Sequence, residues 1–278
     1  MCNSVISRIK NEVNNSNSTL INETIIESDI VLLLGDFCGI EGRKNESCID
    51  IPVYSVVSIE RNGDFWNDGD SWKDVVNNKL IGKDWDENVI EYFESNMCNK
   101  KFPPPTSSGS LQLISYSGIT ICRNGNHRLA AAICWIASKY GDEGKLKKVN
   151  TSLVKLNREK INQIKNKVKN ENFRLYLKRI SQEPERINGE RIVDNVILFN
   201  GVLFELKNNG ELIKIKNSFK GNFFSLFSRH ILRVLNNKNY NDMEDIDKRL
   251  RSDGWLEVPG RLIKLLFDND WFIHEYNY

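Results

Sequence analysis

The chain has only three histidines, and its six cysteines (Cys2, Cys38, Cys48, Cys98, Cys122, Cys134) include no CxxC pair. A structural zinc site takes its ligands from clustered Cys and His, and a disulfide scaffold repeats cysteines at short spacings. Neither pattern occurs, so the cysteines are expected as reduced thiols of a cytoplasmic protein. No run approaches eighteen apolar residues, so no membrane span and no membrane partner are expected. Residues 1–20 are polar and Asn/Ser-rich, without the apolar stretch of a signal peptide. The sequence contains neither a GxxxxGKS/T phosphate loop nor an HExxH zinc motif, and His230 and His274 stand alone as structural candidates. Proline is sparse while Asn and Lys abound, a composition of AT-rich genomes that fits a mobile-element, phage-defence or toxin setting.

What is present bounds the fold. A chain of 278 residues, 40% hydrophobic and 27% charged, has room for one large globular domain or two smaller ones. The net charge of +2 hides an asymmetry. Residues 1–50 hold 4 Lys/Arg against 8 Asp/Glu, and residues 51–144 hold 9 against 12. Residues 145–192 hold 14 against 5, a net +9. Such a segment can meet nucleic acid, and it can equally be solvated surface beside an acidic domain.

Taken in order, residues 1–28 read as a polar N-terminal arm. Asp29–Leu34 reads as a buried strand, followed by a charged loop around Gly39 and Gly42. Pro52–Glu60 is a β-branched, aromatic strand. The loop Arg61–Ser71 carries Phe65 and Trp66, which either face a ligand or pin the loop to the core. Helices are predicted over 71–78 and 86–97, and Pro103-Pro104-Pro105 then forces extended backbone. Leu111–Tyr116 and Ile119–Cys122 form a hairpin about Ser117-Gly118. Lys148–Leu156 is the next strand, and two basic helical segments follow over 157–190. Three strands over 192–216, joined at Asn200-Gly201 and Asn208-Asn209-Gly210, begin a C-terminal part over 191–278. Its later helices are expected near 222–235, 242–251 and 261–267, with Trp271, Phe272 and Tyr276 docking the terminus.

One stretch carries most of the chemistry. After the strand Ile119–Cys122 come Arg123, Asn124, Gly125, Asn126, His127 and Arg128, and then Leu129 and an Ala-rich helix to Tyr140, closed by Gly141. Asn124-Gly125 signals a turn, and Asn126 is placed to cap the helix. The first amides of a helix have no intrahelical partner and sit at the positive end of its dipole. With Arg123, His127 and Arg128 around them, they make a candidate phosphate site. The same pattern also suits a solvated helix start.

The string Asn124-Gly125-Asn126-His127-Arg128-Leu129-Ala130-Ala131-Ala132 resembles the signature of the ParB/sulfiredoxin-like fold. That superfamily includes ParB partition proteins, sulfiredoxins, free-serine kinases and DGQHR-type proteins. The motif covers about ten residues, and the order of elements from Pro52 to Leu156 extends the resemblance. It implies an α/β (α+β) chain: a ParB/sulfiredoxin-like nucleotide-binding core over 29–156 with an additional C-terminal α+β domain. It also implies that the turn Arg123–Arg128 holds the phosphates of an NTP, ATP or CTP, with Mg²⁺ accompanying it. Two departures count against full activity. Asn126 stands where sulfiredoxins carry their catalytic cysteine and ParB proteins a glutamate, and Asn124 stands where an acidic residue often precedes the glycine. Cys122 lies on the strand and cannot take over. A carboxylate must come from elsewhere, and Glu60 at the end of its strand is the first choice, although it also suits an exposed strand-end charge.

The resulting expectation leans to an enzyme that binds NTP or nucleic-acid phosphates at Gly125–Arg128 through His127, Arg128 and Glu60. Its reaction would be NTP hydrolysis, phosphoryl transfer or nucleic-acid cleavage. The alternative is a non-catalytic module, switched by nucleotide or binding nucleic acid or protein, with residues 145–191 as the nucleic-acid surface. A further alternative is a metal-dependent nuclease, in which Asp194 and Glu205 hold Mg²⁺ and Lys207 steadies the attacking water.

Overall fold

The computed structural model describes residues 4–60, 63–98, 100–105, 109–167, 173–179, 186–187, 190–191, 193–199, 202–206, 211–214, 248 and 250–277. The chain is mixed α and β and divides into two compact units. The first comprises residues 1–31, 40–156 and 268–278, and the second residues 32–39 and 157–267.

The first unit is a mixed five-stranded sheet of β1 (Ile40–Pro52), β2 (Val56–Ser58), β3 (Gln112–Tyr116), β4 (Ile119–Asn124) and β5 (Lys145–Leu156). The strands lie in the order β1-β5-β3-β4-β2. The pairs β1/β5 and β3/β4 are antiparallel, whereas β3/β5 and β2/β4 are parallel. Helix α5 (Asn126–Tyr140) follows β4 directly and is buried from Arg128 to Ala137. Alanine has the highest helix propensity, and its small side chain lets neighbouring elements approach closely. Three helices, α1 (Val5–Asn14), α3 (Trp72–Lys79) and α4 (Asn88–Glu94), pack against α5. Helix α3 starts on a full capping box. The Ser71 hydroxyl accepts the Asp74 amide, and the Asp74 carboxylate accepts the Ser71 amide. The core joins Trp66, Trp72, Phe93, Phe102 and Trp135.

Several sequence expectations need correction. The polar arm contains α1, whose Val5, Ile9 and Val13 fall four residues apart and are buried. An Asn/Ser-rich composition concealed that stripe. Asp29–Leu34 is not a strand but part of helix α2 (Ser28–Cys38). A short unbroken apolar run has no period to separate the two states, and Asp29 in the first turn favours the helix dipole. The charged loop after Gly39 is the long edge strand β1. Its charges sit on an exposed strand and pair across to β5, as Glu41–Lys155 at 3.3 Å and Asp50–Lys148 at 3.7 Å. Pro52–Glu60 is interrupted by a 3-10 turn at Val53–Ser55: Pro52 ends β1, and of the rest Val56–Ser58 is strand.

The thiols are also not all free: Cys48 on β1 and Cys98 after α4 are disulfide-bonded, with Cα atoms 5.7 Å apart. Cys38, Cys122 and Cys134 are buried free cysteines. At the C-terminus, α8 (Asp270–Asn277) returns to this unit, where Phe272 enters the core and the Tyr276 ring lies 6.0 Å from Lys155 Nζ.

The second unit holds α6 (Arg158–Lys167) and an antiparallel sheet of β6 (Phe173–Arg179), β9 (Val193–Phe199), β10 (Val202–Leu206), β11 (Leu212–Lys214) and β12 (Leu256–Glu257), in the order β11-β10-β9-β6-β12. Between β6 and β9 lies the small ribbon β7 (Arg186–Ile187) and β8 (Glu190–Arg191). Helix α7 (Gly260–Phe267) closes the unit. The basic stretch is therefore not a pair of helices. Among its described residues only α6 is helical, and Phe173–Arg179 is strand. Its apolar residues alternate at 173, 175 and 177, and Leu175, Tyr176 and Leu177 are all buried in the sheet. The helix expected over 222–235 and most of that over 242–251 fall outside the described residues. Among the described residues, no helix is long and apolar enough to cross a membrane.

Candidate functional site

The parallel pair β2/β4 aims its carboxyl ends at one place, the start of α5. Ligands of open α/β sheets bind at such strand ends. Glu60 lies just past β2, while Asn124 ends β4 and Gly125 makes the turn into the helix. Gly125 has φ +100° and ψ 40°, a left-handed backbone that only glycine adopts without penalty. A side chain added here would force its neighbours to shift: a Cβ would lie 2.6 Å from Arg128 Nε and 3.1 Å from Leu111 Cδ1.

Gly125, not Asn126, holds the N-cap position, and Asn126 is already helical. The reason is visible in its hydrogen bond. Asn126 is buried and donates its Nδ2 to the Glu60 carbonyl at 3.2 Å, tying the end of the β2 segment to the helix start. Its Oδ1 is buried without a hydrogen-bond partner among the described residues. Asn124 plays the matching part on the other side, where its Nδ2 donates to the Ser110 carbonyl at 2.9 Å. The first intrahelical bond runs from the Leu129 amide to the Gly125 carbonyl, so the amides of Asn126, His127 and Arg128 precede it.

The three basic side chains are placed differently. Arg123 is exposed at the end of β4. His127 is half-buried, its ring stacked on Phe65 with centroids 3.8 Å apart and planes tilted 30°. Arg128 is only 7% exposed and turns inward, unlike a side chain at a solvated helix start. Its Nη1 donates to the Gly109 carbonyl at 2.9 Å, and its guanidinium lies 5.2 Å from the Phe102 ring. Arg128 thus fastens the loop before β3 against the turn. Burial pushes the Tyr92 phenol above its ordinary value, and the Arg128 guanidinium beside it opposes that rise.

The other groups are soon placed. Glu60 is exposed at the rim. Cys122 is buried on β4, and burial, with the Glu60 charge adding to it, pushes its thiol up out of the reactive range. Of the loop aromatics, Phe65 and Trp66 are both buried, with Trp66 Nε1 donating to the Ile59 carbonyl at 3.1 Å. Phe65 therefore pins its loop to the core, and its ring also stacks on His127.

Sequence reading gathered Arg123 to Arg128 and Glu60, and the fold brings these to one end of the sheet. It left Phe65 open between a ligand-facing and a core role, and it missed Phe102 and the Gly109–Leu111 loop as the turn's walls. An aromatic in a long Gly/Asp loop was the available signal for Phe65.

The second constellation lies in the other unit. Asp194 is on β9 and Glu205 on the adjacent antiparallel β10, where Glu205 is half-buried opposite Ile213. Lys207 falls outside the described residues. Among the described residues, no group of three or more His, Cys, Asp or Glu could hold a metal ion. Of the basic residues over 145–191, Lys148 and Lys155 on β5 and Arg174 on β6 take part in ion pairs, the last with Glu257 at 3.8 Å. No family model, curated protein or solved structure matches the chain.

Proposed function

We propose that the β4–α5 turn binds the phosphates of a nucleoside triphosphate, as the nucleotide site of a ParB/sulfiredoxin-like core. The observation that carries this reading is the left-handed Gly125 turn, which opens a fifteen-residue helix at the carboxyl ends of two parallel strands. A helix start of this kind favours a bound negative charge by about 0.3–1 kcal/mol at the surface and up to about 2 kcal/mol when partly buried. Exposed Arg123 and half-buried His127 add charge and hydrogen-bond donors beside it. The role of Arg128 is to shape the cradle: its inward guanidinium holds the Gly109 loop in place.

In the enzymatic form of this reading, Glu60 is the general base or metal-directed carboxylate for NTP hydrolysis or phosphoryl transfer. Its main chain is held to the helix start by Asn126, which supports its place at the rim. Mg²⁺ would arrive with the nucleotide, held mainly by phosphate oxygens and water. A second reading, a nucleotide-switched binding module without catalysis, has its own support. The side-chain amides of Asn124 and Asn126, where the family that the turn resembles carries acidic or nucleophilic groups, are engaged in holding the turn's walls.

Calorimetry with ATP, CTP and GTP tests the binding. Saturable heat is expected with at least one of them, and Arg123→Ala or His127→Ala should weaken it about tenfold or more, the loss of one charge-assisted contact. Absence of heat with all three at millimolar concentration contradicts the reading. Phosphate release that Glu60→Gln abolishes selects the enzyme, whereas binding without release selects the module.

A further inference from the structure

The Cys48–Cys98 bridge stands apart from the chain's other described cysteines. Cys38, Cys122 and Cys134 are buried, and burial pushes their thiols up, to about 12 for Cys38, so they are poor nucleophiles at neutral pH. Cys48 is exposed and Cys98 half-buried. The bridge joins two elements that otherwise meet through β5: Cys48 pairs with Asn150 on β5, and the amide of Met97, next to Cys98, donates to the Lys147 carbonyl at 3.0 Å. A sulfur open to solvent can be attacked by a thiolate, the form that takes part in exchange.

The bridge closes a loop with a sequence separation of 50 residues. That loop contains the end of β1, all of β2, α3 and α4, and the segment bearing Glu60 and Phe65. Among the described residues, one backbone hydrogen bond, Met97 to Lys147, ties the 95–98 turn to β5, and the Met97 side chain is buried in the core.

We propose that Cys48–Cys98 is a reversible thiol–disulfide modification site, open to small dithiols and glutathione, that fastens the 49–97 segment to the β1/β5 edge. In the reduction, a dithiol's thiolate attacks one bridge sulfur and expels the other as thiolate. The reagent's second thiol then displaces the first cysteine from the mixed disulfide. Two cysteine thiols and one cyclic reagent disulfide result, with two electrons and two protons transferred. Oxidised glutathione runs the exchange backwards and leaves as two reduced glutathiones.

The test needs no nucleotide, so its failure leaves the phosphate reading untouched. The intact protein is alkylated with iodoacetamide before and after brief dithiothreitol treatment under native conditions, and adducts are mapped by peptide mass. Adducts at Cys48 and Cys98 are expected only after reduction, and oxidised glutathione should erase them. Backbone hydrogen exchange over 56–98 should rise at least tenfold on reduction, and the Cys48→Ser/Cys98→Ser variant should exchange at the reduced rate whatever the reagent. Adducts at both cysteines without reductant, none after it, exchange over 56–98 that ignores reduction, or a double variant that still responds to dithiothreitol would each overturn the proposal.

Discussion

Replacing Gly125 by alanine probes the turn on which the functional reading depends. Two costs add. The backbone must keep φ +100° with a Cβ present, and a left-handed residue costs about 1–2 kcal/mol. The new Cβ would also stand 2.6 Å from Arg128 Nε and 3.1 Å from Arg128 Cδ, too close for either to stay. Arg128 cannot swing into water without releasing the Gly109 carbonyl and leaving the Phe102 ring. Loss of a hydrogen bond to a charged group costs about 1.5–3 kcal/mol. The sum is roughly 3–5 kcal/mol, a large part of the ~5–15 kcal/mol that keeps a domain folded. At roughly 2–4 °C per kcal/mol for a unit of this size, the melting temperature should fall by about 6–20 °C. Gly69→Ala is the control, because Gly69 has φ +90° with nothing within 4 Å of an added Cβ. It should show the backbone cost alone, about 1–2 kcal/mol. The measurement is thermal melting followed by circular dichroism. If Gly125→Ala is no worse than Gly69→Ala, Arg128 is not packed beneath the turn and the geometry argued for the site is wrong.

Two further outcomes follow from the same contacts. Arg128→Met keeps the stem but removes the donor to Gly109, so urea denaturation should show a loss of about 1.5–3 kcal/mol; nucleotide binding lost at unchanged stability would instead assign Arg128 to the ligand. Burial raises the carboxyl pKa of Asp142, but hydrogen bonds from Ser18, Thr19 and the Leu20 amide outweigh it and hold the group below its ordinary 3.8. A depressed pKa gives stability that is present above the unfolded value and lost as pH falls through the folded one. The stability gap between wild type and Asp142→Asn should therefore be constant above about pH 5 and shrink below about pH 4. A gap that stays flat to pH 3 would show that the charge of Asp142 contributes nothing.

The core of the candidate site was legible because its signals are local. Ser117-Gly118 fixes a hairpin, Asn124-Gly125 a turn, and the alanine run with Gly141 beyond it a helix, and each needs only a few adjacent residues. The misreadings lie where tertiary contacts decide. Ile30–Leu34 has no period, and only burial of Val31, Leu33 and Leu34 with Asp29 in the first turn makes it helical. Phe173–Arg179 carries helix-forming Leu, Lys and Arg, yet pairing with β9 makes it a strand. Arg128 shows the same limit at the scale of one side chain. Basic residues at a helix start suggest a ligand, but the partners of the buried Arg128 come from nineteen residues upstream, at Gly109, and from Phe102. The Cys48–Cys98 pairing, 50 residues apart, leaves no trace in spacing, because β1 and the loop after α4 meet only in the folded sheet.

The most direct measurement of the central claim is an amide chemical-shift map of the ¹⁵N-labelled chain titrated with ATP and Mg²⁺. An anion seated at the start of α5 accepts from the amides that precede the first intrahelical bond, and hydrogen bonding moves those resonances most. The largest shifts are expected at Asn126, His127 and Arg128, with Gly125 and Phe65 following and β9 and β10 unchanged. Shifts confined to the strands bearing Asp194 and Glu205, or none at the α5 start at saturating nucleotide, would contradict it.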